Sequence, residues 1–224
     1  MRSSKAVIFD MDGVIVDSEP RHERAFLEIV SKIGYADSHG LNFSDFIGRS
    51  DQELWKAFIE RHQPRETLEE LLSLKRQRVL EILGRDQPLF EGLPELVQKL
   101  SSRYSLALAS GSERAFVNAV LEIKGLRQFF HATVSASDIE RGKPFPDIFL
   151  RAAELLGVDP ACCWVIEDSK PGITAGSAAG MRVIAITNTH PAGELGGAHY
   201  VVGTYEEIEE ILLGTGAKRQ DLPH

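Results

Sequence analysis

The chain has 224 residues, of which 25 are Lys or Arg, 33 are Asp or Glu and 43% are hydrophobic, which suits one large or two small globular domains and excludes a disordered or collagen-like chain. The formal net charge of -8 disfavours a nucleic-acid-binding protein, because that affinity comes from Lys and Arg displacing counterions. No apolar run approaches the ~20 residues that cross a bilayer, and the amino-terminal residues lack the long apolar core of a signal peptide. We therefore expect a soluble, cytoplasmic protein without a nucleic-acid or membrane partner.

The two cysteines, Cys162 and Cys163, are neighbours in the sequence. Neighbouring side chains in a strand point to opposite faces, so we expect neither a structural disulfide nor a zinc site. This usage is typical of a reducing compartment.

The first elements predict a strand followed by a long helical segment. Residues 5–9 (KAVIF) form a short apolar run, and residues 19–33 carry apolar side chains at helical spacing. Helical periodicity continues from about residue 43 to residue 83 without a recognisable strand. We therefore predict an all-helical insertion, residues 18–88, after the first strand.

Beyond Pro88 the pattern changes to alternating helices and strands. We predict helices over 93–100, 113–123, 146–156 and 172–179, strands over 104–110, 131–136, 162–167, 181–186 and 199–202, and a last helix. This alternation predicts an α/β core, residues 1–17 and 89–224, with a parallel sheet covered by helices. Ligands of such sheets bind at the carboxyl ends of the strands, where we expect the helical insertion to form a cap.

Four groups of chemically active residues follow successive predicted strands. They are Asp10 with Asp12, Ser110 with Gly111, Lys143, and Glu167 with Asp168. Each group alone has an ordinary explanation, such as a solvated turn, a solvated lysine or a helix cap at Asp168 or Ser169. Together they predict one site at the carboxyl edge of the sheet, where oxygen ligands favour Mg²⁺ and the lysine and hydroxyl favour a phosphate.

The segments DMDGV, LALASGS, GKPFPDIF and VIEDSKPG resemble, in order, the four motifs of the haloacid-dehalogenase superfamily. The chain is most similar to the branch that contains β-phosphoglucomutase and many small-metabolite phosphatases, whose helical cap lies between the first and second motifs. The resemblance implies a Rossmann-like core. The implied roles are nucleophile and metal ligand for Asp10, acid/base and backbone metal ligand for Asp12, phosphate binding for Ser110, Gly111 and Lys143, and metal binding for Asp168. Glu167 is implied either to bind the metal directly or to support the residues that do.

The insertion carries further candidates for substrate binding. The resemblance places His22 at a histidine of β-phosphoglucomutase near the hinge, although a structural histidine is an equal alternative. Gly48 matches a glycine of the mutase substrate loop, but Asp51 stands where the mutase has an arginine, and Arg49 is a nearby candidate. Lys75 either binds an anionic or sugar group or belongs to a solvated face. Because a mutase must bind the second phosphate of a bisphosphate, loss of that arginine favours hydrolysis.

We therefore predict a Mg²⁺-dependent phosphatase that hydrolyses a small phosphorylated metabolite, such as a sugar phosphate, through an aspartyl-phosphate. The alternative is a sugar-phosphate mutase. A dehalogenase and a phosphonate hydrolase are minor alternatives, because the first does not need Asp12 and the second needs a cap lysine near Asp10. A non-catalytic phosphometabolite-binding module would be expected to have lost Asp10, Asp12 or Lys143. We expect a monomer.

Overall fold

The computed structural model describes residues 4–36, 38–46 and 50–214. The chain divides into two compact units, Met1–Val16 with Leu89–His224 and Asp17–Pro88. We call the first the core unit and the second the helical unit. The predicted α/β fold with a helical insertion after the first strand is confirmed.

The core unit is built on a parallel sheet of six strands within the described residues. The strands are β1 (Ala6–Phe9), β2 (Ser105–Ala109), β3 (Phe130–Val134), β4 (Cys163–Glu167), β5 (Arg182–Ile186) and β6 (Tyr200–Val202). Their order across the sheet is β3-β2-β1-β4-β5-β6, and every neighbouring pair is parallel. The chain therefore changes direction across the sheet between β1 and β4, where ligands of such sheets bind.

Five helices of the described core unit connect or follow these strands. They are α4 (Leu93–Ser101), α5 (Arg114–Glu122), α6 (Asp147–Leu156), α7 (Lys170–Ala178) and α8 (Tyr205–Leu213), which we number after the three helices of the helical unit. Strands β1, β2 and β4 are buried along their whole length, as expected for central strands covered on both faces. No helix in the described ranges is long and apolar enough to span a bilayer.

The helical unit contains α1 (Glu19–Lys32), α2 (Asp51–His62) and α3 (Leu68–Asp86). Capping boxes at Ser50 and Thr67 start α2 and α3, because each hydroxyl accepts from a backbone N–H three residues later. The three helices bury an aromatic cluster in which Phe26 and Trp55 both pack against Phe58, with ring centroids 6.4 and 5.6 Å apart and nearly perpendicular planes. This unit therefore has a hydrophobic core of its own.

Two element boundaries of the core unit lie two residues from their sequence-based predictions, whereas the other predicted strand and helix ends there differ by at most one residue. The strand predicted over 131–136 ends at Val134, because the backbone N–H and hydroxyl of Ser135 donate to Asp138 and begin a 3₁₀ turn. The helix predicted from residue 172 begins at Lys170, because the hydroxyl of Ser169 accepts a capping hydrogen bond from the Gly172 N–H at 3.2 Å. In both places a side-chain cap fixes the boundary.

Candidate active site

The central strands end in register at one edge of the sheet. Phe9, the last residue of β1, lies level with Leu108 of β2 and Ile166 of β4. The N–H of Asp10 continues the ladder by donating to the carbonyl of Ile166 at 3.0 Å. The side chains that follow these strands are thereby brought to the same edge, as the sequence pattern predicts.

Three buried carboxylates meet at this edge. Asp10, Glu167 and Asp168 each offer an oxygen atom, and these oxygens lie within 4.8 Å of one another. Burial raises the pKa of Asp10 well above its ordinary value of 3.8, and it raises the pKa of Asp168 to about 6 although a hydrogen bond from Thr189 opposes the change. A divalent cation would offset the repulsion between these groups, and hard oxygen donors at this spacing fit Mg²⁺. The residues present therefore fit a metal site of this kind.

The ammonium of Lys143 joins two of these carboxylates. Its Nζ donates to Asp10 Oδ1 at 2.5 Å and to Glu167 Oε1 at 2.5 Å, and it lies 5.3 Å from the centroid of the Phe149 ring. Burial alone would lower the pKa of Lys143, but the charges of Asp10 and Glu167 outweigh it and raise the pKa above the ordinary value of 10.5. Lys143 is therefore a fixed positive charge beside Asp10.

Asp12 lies in a different environment from Asp10. Its Oδ2 accepts from the hydroxyl of Ser112 at 2.8 Å and from that of Ser110 at 3.4 Å. The backbone N–H of Ser112 in turn donates to Ser110 Oγ at 3.0 Å, which orients that hydroxyl. The two aspartates of the first motif thus differ: Asp10 belongs to the carboxylate cluster, whereas Asp12 faces hydroxyl donors.

Glu167 is engaged on both of its oxygens and is fully buried. Besides the contact with Lys143, its Oε2 accepts from the N–H groups of Asp168 and Ser169 and from the Ser169 hydroxyl, at 2.9 to 3.0 Å. The N-cap of α7 is Ser169, which is one of the two predicted caps, so Asp168 does not cap this helix. Asp168 Oδ2 instead accepts from the Thr189 hydroxyl.

Two glycines make room for these acids. Gly13 has a φ of +78°, and a Cβ there would overlap the Asp168 carboxylate. Gly172 has ordinary helical geometry, but a Cβ there would overlap the Glu167 carboxylate. Both positions therefore require glycine because of the acids beside them, whereas a Cβ on Gly111 would meet open space.

The predicted residues of the insertion are not assembled in the same way. His22 is half-buried on α1, and Arg49, like Gly48, lies outside the described residues. Lys75 is 1% exposed, so its interpretation as part of a solvated face is wrong. Its ammonium donates to Asp51 and lies 5.3 Å from the Phe43 ring centroid. These contacts compensate the buried charge for its lost hydration.

Sequence reasoning assigned no role to four side chains that hydrogen-bond to Asp12, to Asp168 or to the turn that follows Asp12. They are Ser112, Asn188, Thr189 and Tyr205. Asn188 and Thr189 follow β5, so the rule that placed acids after β1 and β4 would have found them had it been applied to this strand. Tyr205 had no comparable signal, because it lies in the first turn of α8, after β6.

Comparison with known proteins places this architecture in a family. Residues 4–180 match the haloacid dehalogenase-like hydrolases. The fructose-1-phosphate phosphatase YqaB of Escherichia coli is 34% identical over 80% of this chain and 95% of its own. The β-phosphoglucomutase of Bacillus subtilis is 32% identical over 93% of both chains.

Solved structures share the fold. CbbY from Rhodobacter sphaeroides, in complex with xylulose-(1,5)bisphosphate, superimposes with a TM-score of 0.75 at 23% identity, over 91% of this chain and 95% of its own. The same protein is also known in complex with phosphate. The chain belongs to the haloacid dehalogenase-like hydrolases, and its relatives in that family include sugar phosphatases and β-phosphoglucomutase.

Proposed function

We propose that this protein is a Mg²⁺-dependent phosphatase that hydrolyses a small phosphorylated metabolite, most plainly a sugar phosphate. The single observation that carries the proposal is the buried cluster of Asp10, Glu167 and Asp168 with Lys143 between two of its members. The cluster provides three oxygen donors for a cation and one ammonium for an anion. The similarity of the chain to the fructose-1-phosphate phosphatase YqaB supports a sugar phosphate as the substrate class.

Asp10 is the nucleophile in this proposal. An oxygen of its carboxylate attacks phosphorus, the bond between phosphorus and the ester oxygen breaks, and an aspartyl-phosphate forms. The positive charge of Lys143 beside Asp10 reduces the repulsion between the carboxylate and the phosphate anion and holds the transferred oxygens. Asp10 and Asp168 would hold Mg²⁺ together with the backbone carbonyl that the family resemblance assigns to Asp12, and Glu167 would either bind the ion as well or support its ligands. The bound ion would supply further charge stabilisation for the transferred group.

Asp12 moves the protons. In the first step its carboxyl group donates a proton to the departing ester oxygen, which leaves as an alcohol. In the second step the resulting carboxylate accepts a proton from water, the water oxygen bonds to phosphorus, and the bond from phosphorus to Asp10 breaks to give phosphate. Its position against Ser112 and Ser110, outside the carboxylate cluster, supports this separate role.

The helical unit favours hydrolysis over the mutase reaction. Asp51 stands where the mutase has an arginine, and its carboxylate is paired with the buried ammonium of Lys75. A paired carboxylate gives no site for a second phosphate, which a mutase needs to hold its bisphosphate intermediate. In the proposed function, His22 and Arg49 remain candidates for contacts to the substrate.

A substrate screen tests the proposal. The protein is incubated with Mg²⁺ and a panel of sugar phosphates, hexitol phosphates, nucleotides and short phosphorylated acids, including β-glucose 1-phosphate with a trace of the bisphosphate. Free phosphate from a sugar phosphate supports the phosphatase. An isomerised product without free phosphate indicates the mutase, and neither product from any compound contradicts both activities.

A further inference from the structure

The turn that carries Asp12 accepts hydrogen bonds from two side chains that lie 175 and 191 residues after their acceptors in the sequence. Tyr205 donates its hydroxyl to the carbonyl of Val14 at 2.5 Å. Asn188 donates from Nδ2 to the carbonyl of Gly13 at 2.8 Å and to the hydroxyl of Tyr205 at 2.9 Å. Both amide hydrogens of Asn188 are thus used, and the phenol both donates and accepts, which matches the capacity of each group.

The two partners are themselves fixed in place. Tyr205 is 5% exposed and opens α8 after the capping box of Thr204 and Glu207, and its ring packs 6.4 Å from that of Phe90. Asn188 directly follows Thr187, whose N–H extends the sheet by donating to the carbonyl of Val202 at 3.0 Å. The contacts to the turn therefore come from anchored elements.

The turn needs such support because its internal hydrogen bonds use the carbonyls of Met11 and Val16 and not those of Gly13 and Val14. The Met11 carbonyl accepts from the N–H groups of Ile15 and Val16 at 2.8 and 3.1 Å, and Gly13 N–H donates to Val16 at 2.9 Å. These bonds leave the carbonyls of Gly13 and Val14, both buried residues, for the Asn188 amide and the Tyr205 hydroxyl. A buried carbonyl that loses its hydrogen-bond partner is destabilising, so without these two donors the turn would rearrange to find another.

We propose that Tyr205 and Asn188 are positioning residues that fix the peptide units Gly13–Val14 and Val14–Ile15 and so hold the carboxyl group of Asp12 in the geometry for proton donation to the leaving group. The inference rests on the proposed function, in which Asp12 protonates that group. Neither residue touches substrate in this proposal. Their effect reaches the chemistry only through the position of Asp12.

This role has a signature that a purely structural role lacks. The alkoxide of a sugar is a poor leaving group and needs a proton, whereas 4-nitrophenolate is stable enough to leave without one. The ratio kcat/KM reports the steps up to release of the leaving group, so it isolates transfer of the phosphoryl group to Asp10. Misplacing Asp12 should therefore lower kcat/KM for a sugar phosphate far more than for 4-nitrophenyl phosphate.

The experiment compares Tyr205→Phe and Asn188→Ala with the parent protein on fructose 1-phosphate and 4-nitrophenyl phosphate in Mg²⁺. Tyr205→Phe keeps the ring and its packing, and Asn188 lies in a half-buried loop, so either variant can carry the test if the other does not fold. The matched control is Tyr104→Phe, because the Tyr104 hydroxyl also donates to a backbone carbonyl, that of Leu212, at 2.8 Å near the opposite end of α8. The inhibition constant of inorganic phosphate measures whether the phosphate site itself is intact.

We expect each variant to lower kcat/KM for fructose 1-phosphate by about tenfold, a part of the ~10²–10⁴ that general acid catalysis contributes, and to lower it for 4-nitrophenyl phosphate by much less. The phosphate inhibition constant should stay close to that of the parent protein, and Tyr104→Phe should leave the ratio between the two substrates unchanged. An equal loss on both substrates would overturn the positioning role. If fructose 1-phosphate is not hydrolysed, the sugar phosphate that the substrate screen identifies takes its place; if the parent protein releases phosphate from no ester of that panel, the proposed function fails and this inference fails with it.

Discussion

The Lys143 ammonium lies 2.5 Å from the Asp10 carboxylate, although 133 residues separate them in the chain. The same ammonium lies 2.5 Å from Glu167, so one cation is shared by two buried acids from adjacent strands. The positive charge of Lys143 offsets part of the free-energy cost of burying the Asp10 carboxylate, and it also reduces the repulsion between that carboxylate and a phosphate anion.

Asp10→Asn should abolish phosphate release from every ester that the parent protein hydrolyses, because the amide is too weak a nucleophile to attack phosphorus. The replacement is nearly isosteric, so the circular dichroism spectrum and thermal transition should remain those of a folded protein. Asp159→Asn is the matched control. Asp159 accepts from the Ala161 N–H at 2.8 Å, before β4, and asparagine can replace it there. Retained turnover in Asp10→Asn would remove Asp10 from the mechanism.

Lys143→Met should destabilise the protein by about 3–5 kcal/mol in a buffer containing a chelator, because it leaves Asp10 and Glu167 buried without their cation. Added Mg²⁺ should restore much of this loss, since binding to the folded state alone stabilises it. Urea unfolding with and without Mg²⁺ measures both effects.

The control for this variant is Lys99→Met. Lys99 pairs with Glu209 at 2.7 Å but is 53% exposed, so its loss should cost no more than about 1 kcal/mol and should not depend on Mg²⁺. If Mg²⁺ stabilises Lys143→Met no better than this control, the carboxylate cluster is not a site for that ion.

Gly172→Ala should destabilise the core unit and weaken Mg²⁺ binding, because the new methyl group would overlap Glu167 and displace it. Alanine normally stabilises a helix relative to glycine, so the sign of the change is diagnostic. Gly84→Ala, in α3 where a Cβ meets open space, should instead stabilise by about 0.5–1 kcal/mol. Thermal unfolding of both variants gives the comparison, and a stabilised Gly172→Ala would mean that Glu167 lies elsewhere.

Ser112→Ala should lower kcat/KM on a sugar phosphate by about tenfold, part of the ~10²–10⁴ that general acid catalysis contributes, because Asp12 would lose the shorter of the two hydrogen bonds that orient its carboxyl group. Ser112→Thr, which keeps the hydroxyl, should recover most of the activity. Ser101→Ala removes an exposed serine hydroxyl that donates to the Gln98 carbonyl and should leave kcat/KM unchanged. Full activity in Ser112→Ala would leave Asp12 positioned by other contacts.

The sequence predicts much of this site because parallel strands place their ends together without any knowledge of side-chain packing. Asp10, Glu167 and Lys143 each follow or flank a recognisable strand, and the structure brings these three together. Boundaries at Val134 and Lys170 were missed by a few residues, because they depend on the hydroxyl contacts of Ser135 and Ser169 rather than on hydrophobic period.

The remaining contacts could not be read from local pattern. Lys75 lies in a strongly charged stretch of α3 that is typical of an exposed face, but tertiary packing buries it beside Asp51. Tyr205 and Val14 are 191 residues apart, and their hydrogen bond depends on where α8 begins relative to the first turn. Such pairings follow from the completed fold.

The most direct measurement of the central claim is a rapid acid quench during turnover of a labelled phosphate ester, followed by mass spectrometry of the peptides. We expect one phosphoryl group on the peptide that contains Asp10, formed only with Mg²⁺, released by hydroxylamine, and absent from Asp10→Asn. A phosphoryl group on another residue, or hydrolysis that proceeds equally well in Asp10→Asn, would contradict the central claim.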